Sequence, residues 1–76
     1  MSRRKFKHCE AIVWEPTWAK DQSGVDPRHP LKFGEMVYYL GEIPNVLGHC
    51  IVATYDGRVV PMVHPEDFRD AKEEEL

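Results

Sequence analysis

The sequence predicts an all-β domain, a small barrel or sandwich of about five short strands. Three observations carry that expectation. Short β-branched and aromatic runs recur between clusters of Gly, Pro and Asp, an Asp56-Gly57 step sits between two of them, and no stretch shows the apolar period of a long helix. Seventy-six residues are enough for one domain. A chain of that size buries only about 60–65% of the surface its unfolded form exposes, so every large apolar residue inside carries weight.

Ala11-Ile12-Val13-Trp14 reads as the opening strand, ended by Pro16. From Glu15 to Pro30 the composition shifts to Pro16, Asp21, Ser23, Gly24, Asp26, Pro27 and Pro30, the marks of a long first loop. Met36 to Leu40 is the second strand, between Gly34 and Gly41. His49 to Tyr55 and Arg58 to Val63 are the third and fourth, joined by a tight turn at Asp56-Gly57, with Gly57 expected at positive φ. Pro61 cannot donate to a ladder and marks an edge or a bulge. Pro65-Glu66-Asp67-Phe68 reads as one 3₁₀ turn opened by proline, placed before the last strand. The domain then spans 11–70, after a basic N-terminal segment, 1–10, and before an acidic C-terminal tail, 71–76. That tail offers no apolar face and is expected to fray.

Apolar residues make up 42% of the chain and charged ones 30%, ordinary for a globular protein. The longest apolar run, Met36 to Leu40, is too short to span a bilayer, and the start, Ser2-Arg3-Arg4-Lys5, lacks the apolar stretch of a secretory signal. Two cysteines, Cys9 and Cys50, fit a reducing compartment better than a disulfide framework. The expected location is cytoplasmic, with no membrane association. The net charge of −3 argues against broad nucleic-acid binding, which needs clustered Lys and Arg. Arg3, Arg4, Lys5 and Lys7 form a basic start, and six acids against two bases fill 66–75. Both ends are expected to be solvated.

The order of these pieces resembles the SH3 family. Ala11 to Trp14 stands where that family has its opening strand, Glu15 to Pro30 resembles a lengthened first loop, and Gly34-Glu35 resembles its Gly-acid pair. The hairpin at Asp56-Gly57 resembles the central hairpin, and Pro65 to Phe68 the Pro-x-x-Tyr turn. The resemblance implies an SH3-like barrel that binds protein and carries no catalytic machinery. In it, Cys50 stands at the position of the groove tryptophan and Phe68 at that of the last tyrosine, so the surface is altered.

The aromatic residues are the most informative candidates for a site. Trp18 lies in the polar loop, where a large aromatic either folds back or anchors an interface. Tyr38 and Tyr39 are adjacent on one strand, so one of them faces outward. Trp14, Trp18, Tyr38, Tyr39 and Phe68, with the loop acids Asp21 and Asp26, are the expected partner-binding set, and the outward tyrosine is expected beside Trp18. His8-Cys9 and His49-Cys50 hold zinc-binding atoms, but neighbours on a strand face opposite sides, so neither a metal site nor a cofactor is expected. Nothing places a nucleophile, a base and an oxyanion donor at a recognisable spacing, so no enzyme activity is expected. The readings in order are a protein-interaction module or small accessory subunit, an RNA- or DNA-associated barrel, and a His/Cys metal protein.

Overall fold

β-Branched and aromatic residues dominate the strands of the computed structural model, which describes residues 6–76. β1 is Ala11–Trp14, β2 Glu35–Glu42, β3 Cys50–Thr54, β4 Val59–Val63 and β5 Phe68–Asp70. They form one antiparallel sheet in the order β4-β3-β2-β1-β5, as a small barrel-like all-β domain requires. Inward side chains from all five strands, Ile12 and Trp14, Val37 and Tyr39, Cys50 and Val52, Val60 and Val63, and Phe68, meet in a single core.

Two irregularities shape the sheet. Between Tyr39 and Gly41 the register with β3 shifts, so Leu40 is an extra residue on β2, and Gly41 takes a φ of 149°. A bulge bends its strand, and β2 pairs with β1 along 35–38 and with β3 along 37–42. On β4 the register steps from Val60 opposite Val52 to Val63 opposite Cys50, leaving Pro61 and Met62 as the irregular pair. Met62 adopts a φ of 65°. Pro61 therefore lies on an edge strand and in a bulge, the two places that tolerate a residue without an N–H.

The 3₁₀ turn Pro65–Asp67 precedes β5 as the sequence predicts. The central hairpin is a three-residue connection: Thr54 and Arg58 close it, with Thr54 N–H donating to Arg58 O at 2.8 Å and Gly57 N–H donating to Thr54 O at 3.1 Å. Gly57 alone of its residues has positive φ, 95°. The Thr54 hydroxyl accepts from Arg58 N–H at 2.9 Å and donates to the Asp56 carboxylate, tying the loop internally.

Three expectations are corrected. The first loop reaches Gly34 and is a packing element, because Ala19, Val25 and Leu31 are buried and a 3₁₀ turn, Gln22–Gly24, forms within it. A core this thin recruits apolar side chains from wherever the chain supplies them. At the N-terminal end, Phe6 joins the core, its ring 5.6 Å from that of Tyr39, so the described part of the first segment belongs to the domain. The basic residues Arg3, Arg4 and Lys5 lie outside the described residues. The C-terminal end does not fray: Glu73–Glu75 forms a 3₁₀ turn, and Arg69 donates from both terminal nitrogens to the two Glu75 oxygens at 2.8 Å, while also pairing with Glu15 at 3.0 Å. The anchor is ionic, which a search for apolar faces does not detect.

Replacing Gly57 with Val should lower stability by about 1 kcal/mol or more. A Cβ there meets nothing within 4 Å, so the whole cost is the φ of 95°. The melting temperature should fall by roughly 4–8 °C per kcal/mol, and unchanged melting would contradict the turn as described.

Hydrogen bonds from the Arg69 guanidinium and the Lys72 backbone N–H, with the charges of Arg69 and Lys72, hold the Glu75 carboxyl down from 4.5 to about 2. Its folded value lies below its unfolded one, so the clamp contributes stability above about pH 4.5 and loses it as pH falls toward 2. A carboxyl NMR titration of Glu75 should show a midpoint near 2. An ordinary carboxylate midpoint would mean that the clamp does not form in solution.

Candidate functional site

Trp14 ends β1 with its indole turned into the core, 1% exposed. The long loop is built around that ring. His29 stacks on it at 4.4 Å between centroids with planes 18° apart, and Trp18 meets it edge-on at 5.8 Å and 71°. A turn from Pro16 to Ala19, closed by Ala19 N–H donating to Pro16 O at 3.2 Å, sets Trp18 in place. His29 is fixed in turn, since its Nδ1 accepts from Leu31 N–H at 3.0 Å, which leaves the proton of a neutral ring on Nε2.

Trp18 itself is 58% exposed. Its indole N–H faces the carboxylate of Asp67, from the 3₁₀ turn before β5. Burial, with Glu66 adding to it, pushes the Asp67 carboxyl above its ordinary range, opposed by His64, by the Trp18 indole N–H and by His29. A large aromatic ring is thus held on a ring beneath and a carboxylate beside it, with much of its surface open to solvent. Such a site can bind apolar or amphipathic groups by burial with little further ordering of its own side chains.

The expected set divides into two groups. Trp14, Tyr39 and Phe68 are buried core residues, so they support the surface from behind and offer a partner no area. Trp18, Tyr38, Asp21 and Asp26 are at the surface. The two aspartates have local duties. Asp21 accepts from the Ser23 N–H and hydroxyl, and Asp26 from the Arg28 N–H at 2.8 Å, so hydrogen bonds hold both carboxyls below the ordinary range. They shape the loop that carries Trp18.

Tyr38 is the outward member of its pair, but it is not beside Trp18. It faces away from the core and stacks on Tyr55 at 4.4 Å with planes 6° apart. The register explains the separation. Trp14 lies opposite Glu35 on β2, so Glu35, Val37 and Tyr39 share the Trp14 side and Tyr38 projects from the other. Sequence reasoning also missed His29 and Asp67. Neither carries a local signal, because both reach Trp14 and Trp18 only through the folded loop and the 3₁₀ turn.

The His and Cys residues do not assemble. His8 Nδ1 lies 2.9 Å from Leu40 O, Cys9 is exposed at a φ of 66°, and the rings of His49 and His64 lie 4.3 Å apart at the surface. Among the described residues no group of three or more His, Cys, Asp or Glu side chains is placed to hold a metal ion. Cys50 is buried, and burial, with Glu42 and Glu66 adding to it, pushes its thiol up to about 11. That is opposite to what a nucleophilic cysteine needs. Also among the described residues, no helix is long and apolar enough to cross a membrane. No family model, curated protein or solved structure matches the chain.

A thiol reagent at mildly alkaline pH should label one cysteine per folded chain, Cys9, and a second only on denaturation. Equal labelling rates for Cys9 and Cys50 would show that the base of the core opens far more readily than its packing implies.

Proposed function

We propose that the chain is a non-catalytic protein-interaction module, SH3-like in architecture, that takes a protein partner at the Trp18 end of the long loop. The single observation behind this reading is the pairing of exposure with fixation at Trp18, 58% exposed yet set against Trp14 and Asp67. Aromatic residues of this kind supply most of the energy in protein interfaces, because they bury large area and lose little freedom on binding. The strand order, the long first loop and the 3₁₀ turn before β5 support the architectural likeness. In this reading the domain acts as a small accessory subunit docked on a larger assembly.

The surroundings favour protein over nucleic acid. Asp67 faces Trp18 and Glu66 is next to it in sequence, two carboxylates that would repel a phosphate backbone at this end.

Affinity capture from the native host with the parent and with Trp18→Ala, read side by side, tests this reading. The substitution should weaken capture of the dominant protein partner by roughly 30-fold, about 2 kcal/mol, and lower stability by about 1 kcal/mol or less, the worth of one edge-on ring contact. A melting temperature lowered by many degrees would make Trp18 a cap on the core, and co-purifying nucleic acid would overturn the protein reading.

A further inference from the structure

The sequence sets His49 beside Cys50, but Cys50 turns into the core and the partner of His49 comes from another strand. The ladder places Cys50 opposite Val63, so His49 before β3 and His64 after β4, next along each chain, are brought together. Their imidazole rings lie 4.3 Å apart between centroids, with planes 44° apart. Each ring is also oriented by an oxygen. His49 Nδ1 lies 3.1 Å from the Leu47 carbonyl, and His64 Nδ1 lies 3.8 Å from Glu66 Oε1. A carbonyl and a carboxylate only accept, so each neutral ring keeps its proton on Nδ1 and leaves the lone pair of Nε2 free. His64 makes no side-chain capping bond to the 65–67 turn that it precedes, so that turn does not depend on its ring.

We propose that His49 and His64 form a two-ligand site for a late divalent transition-metal ion, Ni²⁺ or Cu²⁺, held through the two Nε2 atoms. Imidazole nitrogen suits these ions. A ligating histidine ordinarily gives its other N–H to a carbonyl or a carboxylate, and these two rings face one of each. The ring separation then selects the geometry. With metal–nitrogen bonds of about 2.0–2.1 Å, an ion sits about 3.2 Å from each ring centre. Two rings at right angles about it are then about 4.5 Å apart, and two at the tetrahedral angle about 5.2 Å. The observed 4.3 Å matches adjacent corners of a square and falls short of tetrahedral zinc. Square and tetragonal sites are those of Cu²⁺ and Ni²⁺.

Charge favours a cation here. Glu66 stands beside His64, Glu42 lies opposite Cys50 on β2, and the chain as a whole carries −3. Among the described residues no group of three His, Cys, Asp or Glu side chains is placed to hold a metal ion, so water fills the remaining positions. The ion is therefore bound reversibly, with coordination positions open to a donor from outside the chain. The site is separate from the Trp18 surface and does not rest on the reading given to it.

Calorimetric titration of the purified chain with Ni²⁺, at mildly alkaline pH in a buffer that does not chelate the ion, tests the site. Binding should saturate at one ion per chain. Ni²⁺ is paramagnetic, so the ring proton signals of His49 and His64 should broaden before those of His8 and His29. His49→Ala and His64→Ala should each weaken binding by roughly 10-fold or more, since loss of an outer partner of a ligand alone costs about 10–100-fold. Cys9→Ser should bind like the parent. Circular dichroism confirms that each variant is folded, and either histidine variant carries the test if the other is not. Absence of saturable binding overturns the proposal and makes the two rings a surface stack only. Binding that survives both histidine substitutions, or that is lost with Cys9→Ser, overturns it by placing the ion elsewhere. None of these outcomes touches the Trp18 reading, which is measured by capture of a protein.

Discussion

The indole of Trp14 is where the separate parts of this small domain meet. It closes β1 opposite Glu35 of β2 and Phe68 of β5, and its carbonyl accepts from Gly34 N–H at 2.7 Å at the far end of the long loop. Its ring carries His29 on one face and Trp18 at its edge. A loop of that length would ordinarily cost too much conformational entropy to hold in one shape. Buried Ala19, Val25 and Leu31 offset that cost, and the ring of Trp14 gives the loop a floor. The exposed face of Trp18 therefore depends on a residue that no partner touches.

Electrostatics plays the complementary part at the periphery. Arg58 donates to the Pro30 carbonyl and pairs with Glu35 and Asp56, which joins the hairpin, the end of the long loop and the start of β2. Arg69 joins Glu15, at the start of the same loop, to Glu75 in the terminal turn. Exposed pairs contribute little each. Their effect here is one of place, because each guanidinium links segments far apart in the chain at a point where backbone pairing has ended.

Two surfaces of the domain differ in kind. At the Trp18 end an aromatic ring lies beside the Asp67 carboxylate, which suits a specific contact with a polar rim. The outer face of β2, β3 and β4 is broad, uncharged and rich in aliphatic and tyrosine side chains, a composition closer to a core than to a solvated sheet. The sheet separates the two. Residues on one side of β2 pack under the loop, and their immediate neighbours in sequence face the other way.

Elements whose cause is local were legible in the amino-acid order. β-Branched runs placed the strands, Gly57 the hairpin, Pro65 the 3₁₀ turn and Pro61 the edge position, since each follows from what a residue's own backbone permits. It also established that one of Tyr38 and Tyr39 faces out, by the period of two along a strand. Tertiary structure decided which one, because that depends on the register with β1 and on the bulge at Leu40, and it separated Tyr38 from Trp18. It turned the long loop into part of the core, drew in Phe6, and fixed the acidic end through Arg69. It also set His29 and Asp67 against the two tryptophans. Those outcomes rest on contacts between residues distant in the chain, and such contacts leave no periodicity or turn chemistry to be read beforehand.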